Sequence, residues 1–293
     1  MILKFAKILV FTLKFLEKII FKPINKKLLV FIKKVLEDSS YKTKKVNDKD
    51  LLFFTPNELC EMRVETLFTK EPETIKWIDN FSVNPNLIFW DIGANIGLYS
   101  IYAAAKHKNL SVISFEPALS NLRVLSRNIS INNFSDEIKI FQVALSNKKN
   151  TFQEFNESIF QEGGSLNTFG EKFGFDGNLI TKKNSYSIYG TTLNYLVENK
   201  ILEIPDYIKI DVDGIEHLIL SGANKFLKND KIKGICIEIN EKFLQQKKSI
   251  NDLLTNSDFI FQSKATVRDK NLNDDFSDTF NFFYIKNLDN KTN

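Results

Sequence analysis

Cysteine is nearly missing. The 293-residue chain has two, Cys60 and Cys236, which excludes a disulfide framework or a zinc site and fits a reducing cytoplasm. Long uncharged apolar runs are absent too. Lysines interrupt every apolar stretch of residues 1–36, and none reaches the ~18–20 residues of a membrane span. Lys7 and Lys14 break that region and no small-residue cleavage site follows, so a secretory signal is not expected. One-sided charge is also lacking: the net charge of +4 is concentrated at the N-terminus, and nothing points to nucleic acid. There is no internal repeat. What remains is ordinary for a globular protein, 43% hydrophobic and 26% charged, and long enough for one large domain with an appendage.

The informative stretch is Leu87 to Ser100. Leu87–Trp90 is a bulky apolar run of strand length, followed by Asp91, by Gly93 and Gly97 around a turn, and by an Ala-rich helix former over 96–106. Strand, glycine turn and helix together suit a nucleotide-like cofactor, because such a turn admits close backbone approach and the helix start offers free N–H groups. A dinucleotide fingerprint needs a middle glycine where this chain has Asn95, so nicotinamide and flavin fit poorly. Asp followed by G-x-x-x-G suits S-adenosylmethionine better. Val112–Phe115 reads as the next strand and ends in Glu116, 25 residues after Asp91, where a carboxylate can accept both ribose hydroxyls.

Alternating strand and helix patterns continue to the C-terminus. Strands are expected at 138–143, 207–210, 235–238, 259–261 and 281–285, with a helix over 118–132. The fold class is therefore α/β, a mostly parallel sheet covered on both faces. One or two helices are expected over 51–81, the second opening at Glu71-Pro72-Glu73. The stretch 147–189 breaks the rhythm, rich in Phe, Gly, Asn and Ser without a period. It reads either as hairpins and a lid shaping an acceptor site or as a surface insertion.

Residues 1–50 read as a basic amphipathic helical extension and linker, and 51–288 as the main domain. At about 100° per residue, Lys4, Lys7, Lys14, Lys18, Lys22 and Lys26 share one stripe of a helix that Pro23 splits. Such a segment suits a membrane interface with anionic lipid. Equally, it suits a helical extension that packs on the main domain or on a second subunit, its lysine stems snorkelling to water.

From Glu71 to Glu238 the chain resembles the FkbM family of S-adenosylmethionine-dependent methyltransferases. The resemblance rests on Trp90–Ser100, Phe115-Glu116-Pro117, Val143–Ser146, Gly164-Ser165-Leu166, Thr191-Thr192-Leu193 and Ile208–Glu216. It implies a class I methyltransferase fold, a Rossmann-like seven-stranded sheet whose last strand is antiparallel, and methylation of hydroxyl groups, often on sugars or glycan-bearing metabolites. Asp91, Gly93, Asn95, Gly97, Glu116, Ala144 and Leu145 are then the cofactor-binding residues: the glycines at the amino-acid end, Asp91 toward the ammonium, Glu116 at the ribose, Ala144 and Leu145 at adenine. Two departures stand out. Asn194 replaces a usual Asp, and Asp213 a usual Glu.

Methyl transfer to an alcohol relies on positioning and on a base near the acceptor hydroxyl. Asp211, Asp213 and Glu216 are the catalytic candidates, while Asp213-Gly214 also reads as a turn and Glu216 as a helix-start acid. His217 and Glu238 are further candidates with structural readings beside them. No metal ligand set is assigned. Two other classes stay open: a metal-dependent D-x-D glycosyltransferase using Asp211 and Asp213, and a non-catalytic module, for which Asn194 is the one hint. The expected protein is cytoplasmic, acts on a small-molecule or glycan acceptor, and touches a membrane, if at all, through residues 1–36.

Overall fold

A computed structural model describes residues 1–22, 27–82, 84–266 and 277–288. The chain divides into two compact units, Met1–Lys42 and Thr43–Asn293. The first holds α1 (Ile2–Leu16), a π-helical turn (Glu17–Phe21) and α2 (Leu28–Asp38). Neither α1 nor α2 buries a single residue. Pro23 and Lys26 lie outside the described residues.

Residues 37–50, read as a linker, instead contribute to a hairpin of β1 (Tyr41–Val46) and β2 (Lys49–Phe54). Their lysines hid it, but Asn47 supplies a left-handed turn residue at φ 53°. Leu51, Phe53 and Phe54 are buried, so β2 stands where the start of a helix was expected. Two helices follow, α3 (Glu58–Glu65) and α4 (Pro72–Asp79), the second with proline in its first turn as expected.

The main sheet uses β3 (Leu87–Ile92), β4 (Leu110–Phe115) and β5 (Ile138–Phe141), separated by α5 (Leu98–Lys106) and α6 (Leu119–Ile131). After the stretch 147–191 come α7 (Leu193–Glu198), β10 (Tyr207–Ile210), α8 (Glu216–Ser221), β11 (Gly234–Asn240), α9 (Leu244–Thr255), β12 (Phe259–Thr266) and β13 (Thr279–Lys286). Strand order is β12-β13-β11-β10-β3-β4-β5, and β13, the last in the chain, runs antiparallel to both neighbours. This is the seven-stranded class I methyltransferase arrangement that the resemblance implied. The inner strands β3 and β10 are apolar nearly throughout and buried on both faces, as a parallel sheet covered by helices requires. The chain order reverses between β3 and β10, and the open ends of such a pair form a crevice for ligands.

The irregular stretch is a second sheet. Its strands are β6 (Ala144–Leu145), β7 (Thr151–Glu157), β8 (Thr168–Phe169) and β9 (Asn184–Thr191), in the order β6-β9-β7-β8. The expected strand 138–143 therefore splits: β5 ends at Phe141, and Ala144-Leu145 joins the second sheet instead.

Candidate active site

The glycine turn is held from below. The N–H groups of Gly93 and Ala94 both donate to Phe115 O at 3.0 Å, tying the end of β3 to the end of β4. Gly93 has φ 86°, and a Cβ there would lie 1.8 Å from the carbonyl oxygen of Asp211. The crowding partner is the chain itself, so this glycine lets β3 turn beside β10. Gly97, φ 88°, is the N-cap of α5, and its missing Cβ leaves room for Leu125 on α6. It is a packing glycine.

Glu116 completes the turn. One carboxylate oxygen accepts the Asn95 N–H at 2.7 Å and the other the Ala118 N–H at 2.8 Å. The residue is 4% exposed. Burial pushes its pKa up to about 8, against the pull of those two backbone donors. A carboxylate has about four lone-pair sites; the Asn121 amide also lowers the pKa of this one, and acceptor capacity remains for a ligand.

A cavity with ≈570 Å³ of space between atoms, part of it open to solvent, lies at this point. Its apolar lining includes Val143, Ala144, Leu145, Phe155 and Phe169, and its polar lining includes Gly93, Asn95, Glu116, Asp211 and Asp213. Three polar atoms of the lining residues, Asn95 Oδ1, Asn167 Oδ1 and Thr168 Oγ1, are buried without a partner. The second sheet thus walls this cavity through Phe155, Asn167, Thr168 and Phe169, a position the sequence reading had given to an acceptor lid. Its loop is pinned across the opening. Gly164 O accepts from Asn95 Nδ2 at 2.8 Å and Asn121 Nδ2 at 3.1 Å, and Leu166 N donates to Asp213 Oδ2 at 2.7 Å.

A second cavity of ≈500 Å³ shares Gly93, Asn95 and Asp211 with the first. It is charged, with Arg63, Lys70, Glu71 and Lys209 in its wall beside Tyr99. None of these five is a site residue expected from the sequence. Lys209 carried a signal, a lysine in the middle of a buried strand. Parallel pairing sets it opposite Asp91, and its Nζ donates to Asp211 Oδ2 at 2.7 Å. Burial lowers its pKa, but the charges of Asp211, Asp91 and Glu71 outweigh that and raise it.

The predicted carboxylates separate into different environments. Burial raises Asp211, but Lys209 overrides it and holds the carboxyl below its ordinary value. Asp213 is raised to about 6, first by burial and then by the charge of Asp211. It has φ 63°, a left-handed position that Asp tolerates better than most residues. Glu216 lines neither cavity. Its oxygens accept from the N–H groups of Val212 and Gly214 and from Gln246 Nε2, so its geometry is that of a turn-holding carboxylate, which corrects its placement among the catalytic candidates. Burial lifts it to about 7.

Asp91 lines neither cavity either. It is fully buried and accepts Ser100 Oγ at 2.6 Å, with Oδ1 unpartnered. A direct hold on an ammonium would need it to face that space. Ala144 and Leu145 do line the first cavity. His217 is buried between Phe173 and Phe243, its pKa lowered by burial. Glu238 is raised well above its ordinary value by burial and then by Asp211 and Asp213. Single oxygens of Asp211, Asp213 and Glu238 lie within 4.8 Å of one another. Asn194 lines neither cavity and ties the start of α7 to the turn after α8 through Lys225 N and Asn224.

Residues 91–265 match the family model of the methyltransferase FkbM domain. The chain is 28% identical over 169 residues to methyltransferase sdnD of Sordaria araneosa, covering 50% of this chain and 64% of that protein. It is 24% identical over 192 residues to AMB antimetabolite synthetase AmbE of Pseudomonas aeruginosa, covering 56% of this chain and 9% of that one. The chain thus spans less than two thirds of either curated relative. Among solved structures, a precorrin-6y C5,15-methyltransferase from Geobacter metallireducens is 13% identical, with a TM-score of 0.41, over 86% of this chain and 96% of its own.

Proposed function

The chain belongs to the FkbM family of S-adenosylmethionine-dependent methyltransferases, and from that premise we propose that it methylates a hydroxyl group of a sugar or glycan-bearing acceptor in the cytoplasm. The observation that supports this reading is one cavity lined together by apolar Ala144, Leu145 and Phe169, by the buried carboxylate of Glu116 and by the carboxylate of Asp213. The cytoplasm is supported by Cys60 and Cys236, both free and buried.

The residues present suit the cofactor. The apolar part of the lining accepts a flat heterocycle, and Glu116 keeps acceptor capacity for a ribose hydroxyl. The partnerless amide oxygens of Asn95 and Asn167 are acceptors that a bound molecule would satisfy. Beyond Gly93 the charged cavity suits an amino-acid end, with Arg63 and Lys70 facing a carboxylate and Glu71 and Asp211 an ammonium. When bound, S-adenosylmethionine supplies a methyl group on a positively charged sulfur.

The protein's own part is positioning and proton removal. Asp213 is the base in this reading. A pKa near 6 leaves it ionised at neutral pH yet basic enough to take a hydroxyl proton in the transition state. Asp211, committed to Lys209, remains charged and orients its neighbours. The family match leaves the D-x-D glycosyltransferase reading without support. Asn194 lines neither cavity, so it gives the non-catalytic reading no support.

Two measurements test the proposal. Calorimetry on the intact protein should detect S-adenosylhomocysteine binding without added metal; a folded protein with no affinity overturns the reading. Methyl-labelled cofactor incubated with extracted glycans should then leave label on a sugar hydroxyl. Label on nitrogen or carbon would overturn the acceptor class alone.

A further inference from the structure

The first 38 residues play no part in the reaction just proposed, and their surface is unlike the rest of the chain. In α1, Ile2, Leu3, Phe5, Ile8, Phe11 and Phe15 are all more than half exposed. In α2, Val30, Phe31, Val35 and Leu36 are as well. Patches of exposed apolar surface on this scale mark interaction sites.

Charge says what covers them. Residues 1–38 carry nine lysines against Glu17, Glu37 and Asp38, which leaves the remaining chain with 31 basic and 33 acidic residues. Glu17, the one acid before residue 37, accepts the Leu29 N–H at 3.1 Å at the start of α2, so it offers little to an outside cation. Every side-chain charge in α1 is a lysine. The complementary surface is therefore apolar and anionic at once.

Helical geometry narrows the choice further. A protein partner that pairs with a helix uses a narrow seam of apolar positions. Here apolar residues occupy almost the whole circumference, and Phe11 and Phe15 fall inside the lysine stripe itself. Lysine stems can run along an acyl boundary while their ammonium groups reach headgroup phosphates. No helix among the described residues is long and apolar enough to cross a membrane, which leaves a helix lying in the plane.

We propose that α1 and α2 form a docking surface for an anionic phospholipid bilayer, lying in the interface with their apolar side chains in the acyl boundary and their lysines on headgroup phosphate. The proposal is independent of the methyl-transfer reading.

The test uses the full chain and vesicle flotation. Vesicles of phosphatidylcholine containing one third phosphatidylglycerol should retain the protein, and pure phosphatidylcholine should retain at least about tenfold less. Raised salt should release the electrostatic share. The variant Lys7→Glu/Lys14→Glu should bind anionic vesicles at least about tenfold more weakly, and Phe5→Ser/Phe11→Ser should also lose binding. Both should keep wild-type affinity for S-adenosylhomocysteine, which confirms a folded second unit. Equal binding to both vesicle types, or to neither, overturns the proposal. So does a concentration-dependent oligomer in light scattering that Phe11→Ser dissolves while vesicle binding is absent, since the apolar surface would then be covered by another copy.

Discussion

Glu116 and Asp213 line one cavity, and the tasks proposed for them differ with their environments. Glu116, buried and raised to about 8, is mostly protonated at neutral pH before a ligand arrives. Hydroxyl donors favour the carboxylate and lower that pKa, so binding of S-adenosylhomocysteine at pH 7 should release close to one proton. Calorimetry in two buffers of different ionisation enthalpy reads this directly. Glu116→Gln should abolish the release and weaken binding by about tenfold to a hundredfold, the scale of a lost charge-assisted hydrogen bond. Asp213→Asn keeps shape and tolerates the left-handed backbone. It should cut kcat by about 10²–10⁴-fold while leaving cofactor affinity within about twofold. In the wild type kcat/KM should fall as pH drops through about 6, because the base is then protonated. Both carboxylates were legible in the sequence as strand-end acids. Which one removes a proton was not, because burial and the Lys209–Asp211 pair make that distinction.

At the scale of elements, the second sheet is the unexpected part of the site. Phe169 on β8 reaches the cavity wall because Gly190 on β9 has no side chain. A Cβ at Gly190 would lie 2.2 Å from the Phe169 ring. Gly190→Ala should therefore displace that ring, weaken S-adenosylhomocysteine binding by about tenfold, and cost about 1–3 kcal/mol of stability from overpacking. Urea unfolding and calorimetry on the same variant measure both. An unchanged affinity would remove Phe169 from the cofactor wall. No period in 147–189 could reveal this sheet, since its strands pair with each other and with Ala144-Leu145, outside the stretch. The hairpin β1–β2 was missed for a different reason. Lys42, Lys44 and Lys49 occupy the same faces as the buried residues, and burial begins only at Val46 and Leu51.

For the whole molecule, several buried acids make stability depend on pH in an unusual direction. Glu116 and Glu216, raised to about 8 and about 7, hold protons in the folded state that the unfolded chain has already released. Their contribution is full below the ordinary carboxylate range and is lost as pH rises through the folded values. His217, lowered by burial, acts the other way, but only below its ordinary value of 6.5. Between pH 6.5 and 8 the ligand-free protein should therefore lose about 2 kcal/mol. Urea midpoints across that interval should decline. Saturating S-adenosylhomocysteine should flatten the decline, because Glu116 then ionises in the folded state as well.

Adjacent residues determine what can be read without a fold. The apolar runs of β3 and β10, the positions of Gly93 and Gly97, and Glu116 closing the next strand specify an α/β sheet and the neighbourhood of a cofactor. Each depends on near neighbours in the chain. Lys209 opposite Asp91, Arg63 and Glu71 beside the glycine turn, and Phe169 over Gly190 join residues far apart in sequence, so only the packed sheet brings them together. The charges of the site follow from that packing, because a carboxylate's ionisation depends on what buries it and which cation stands beside it.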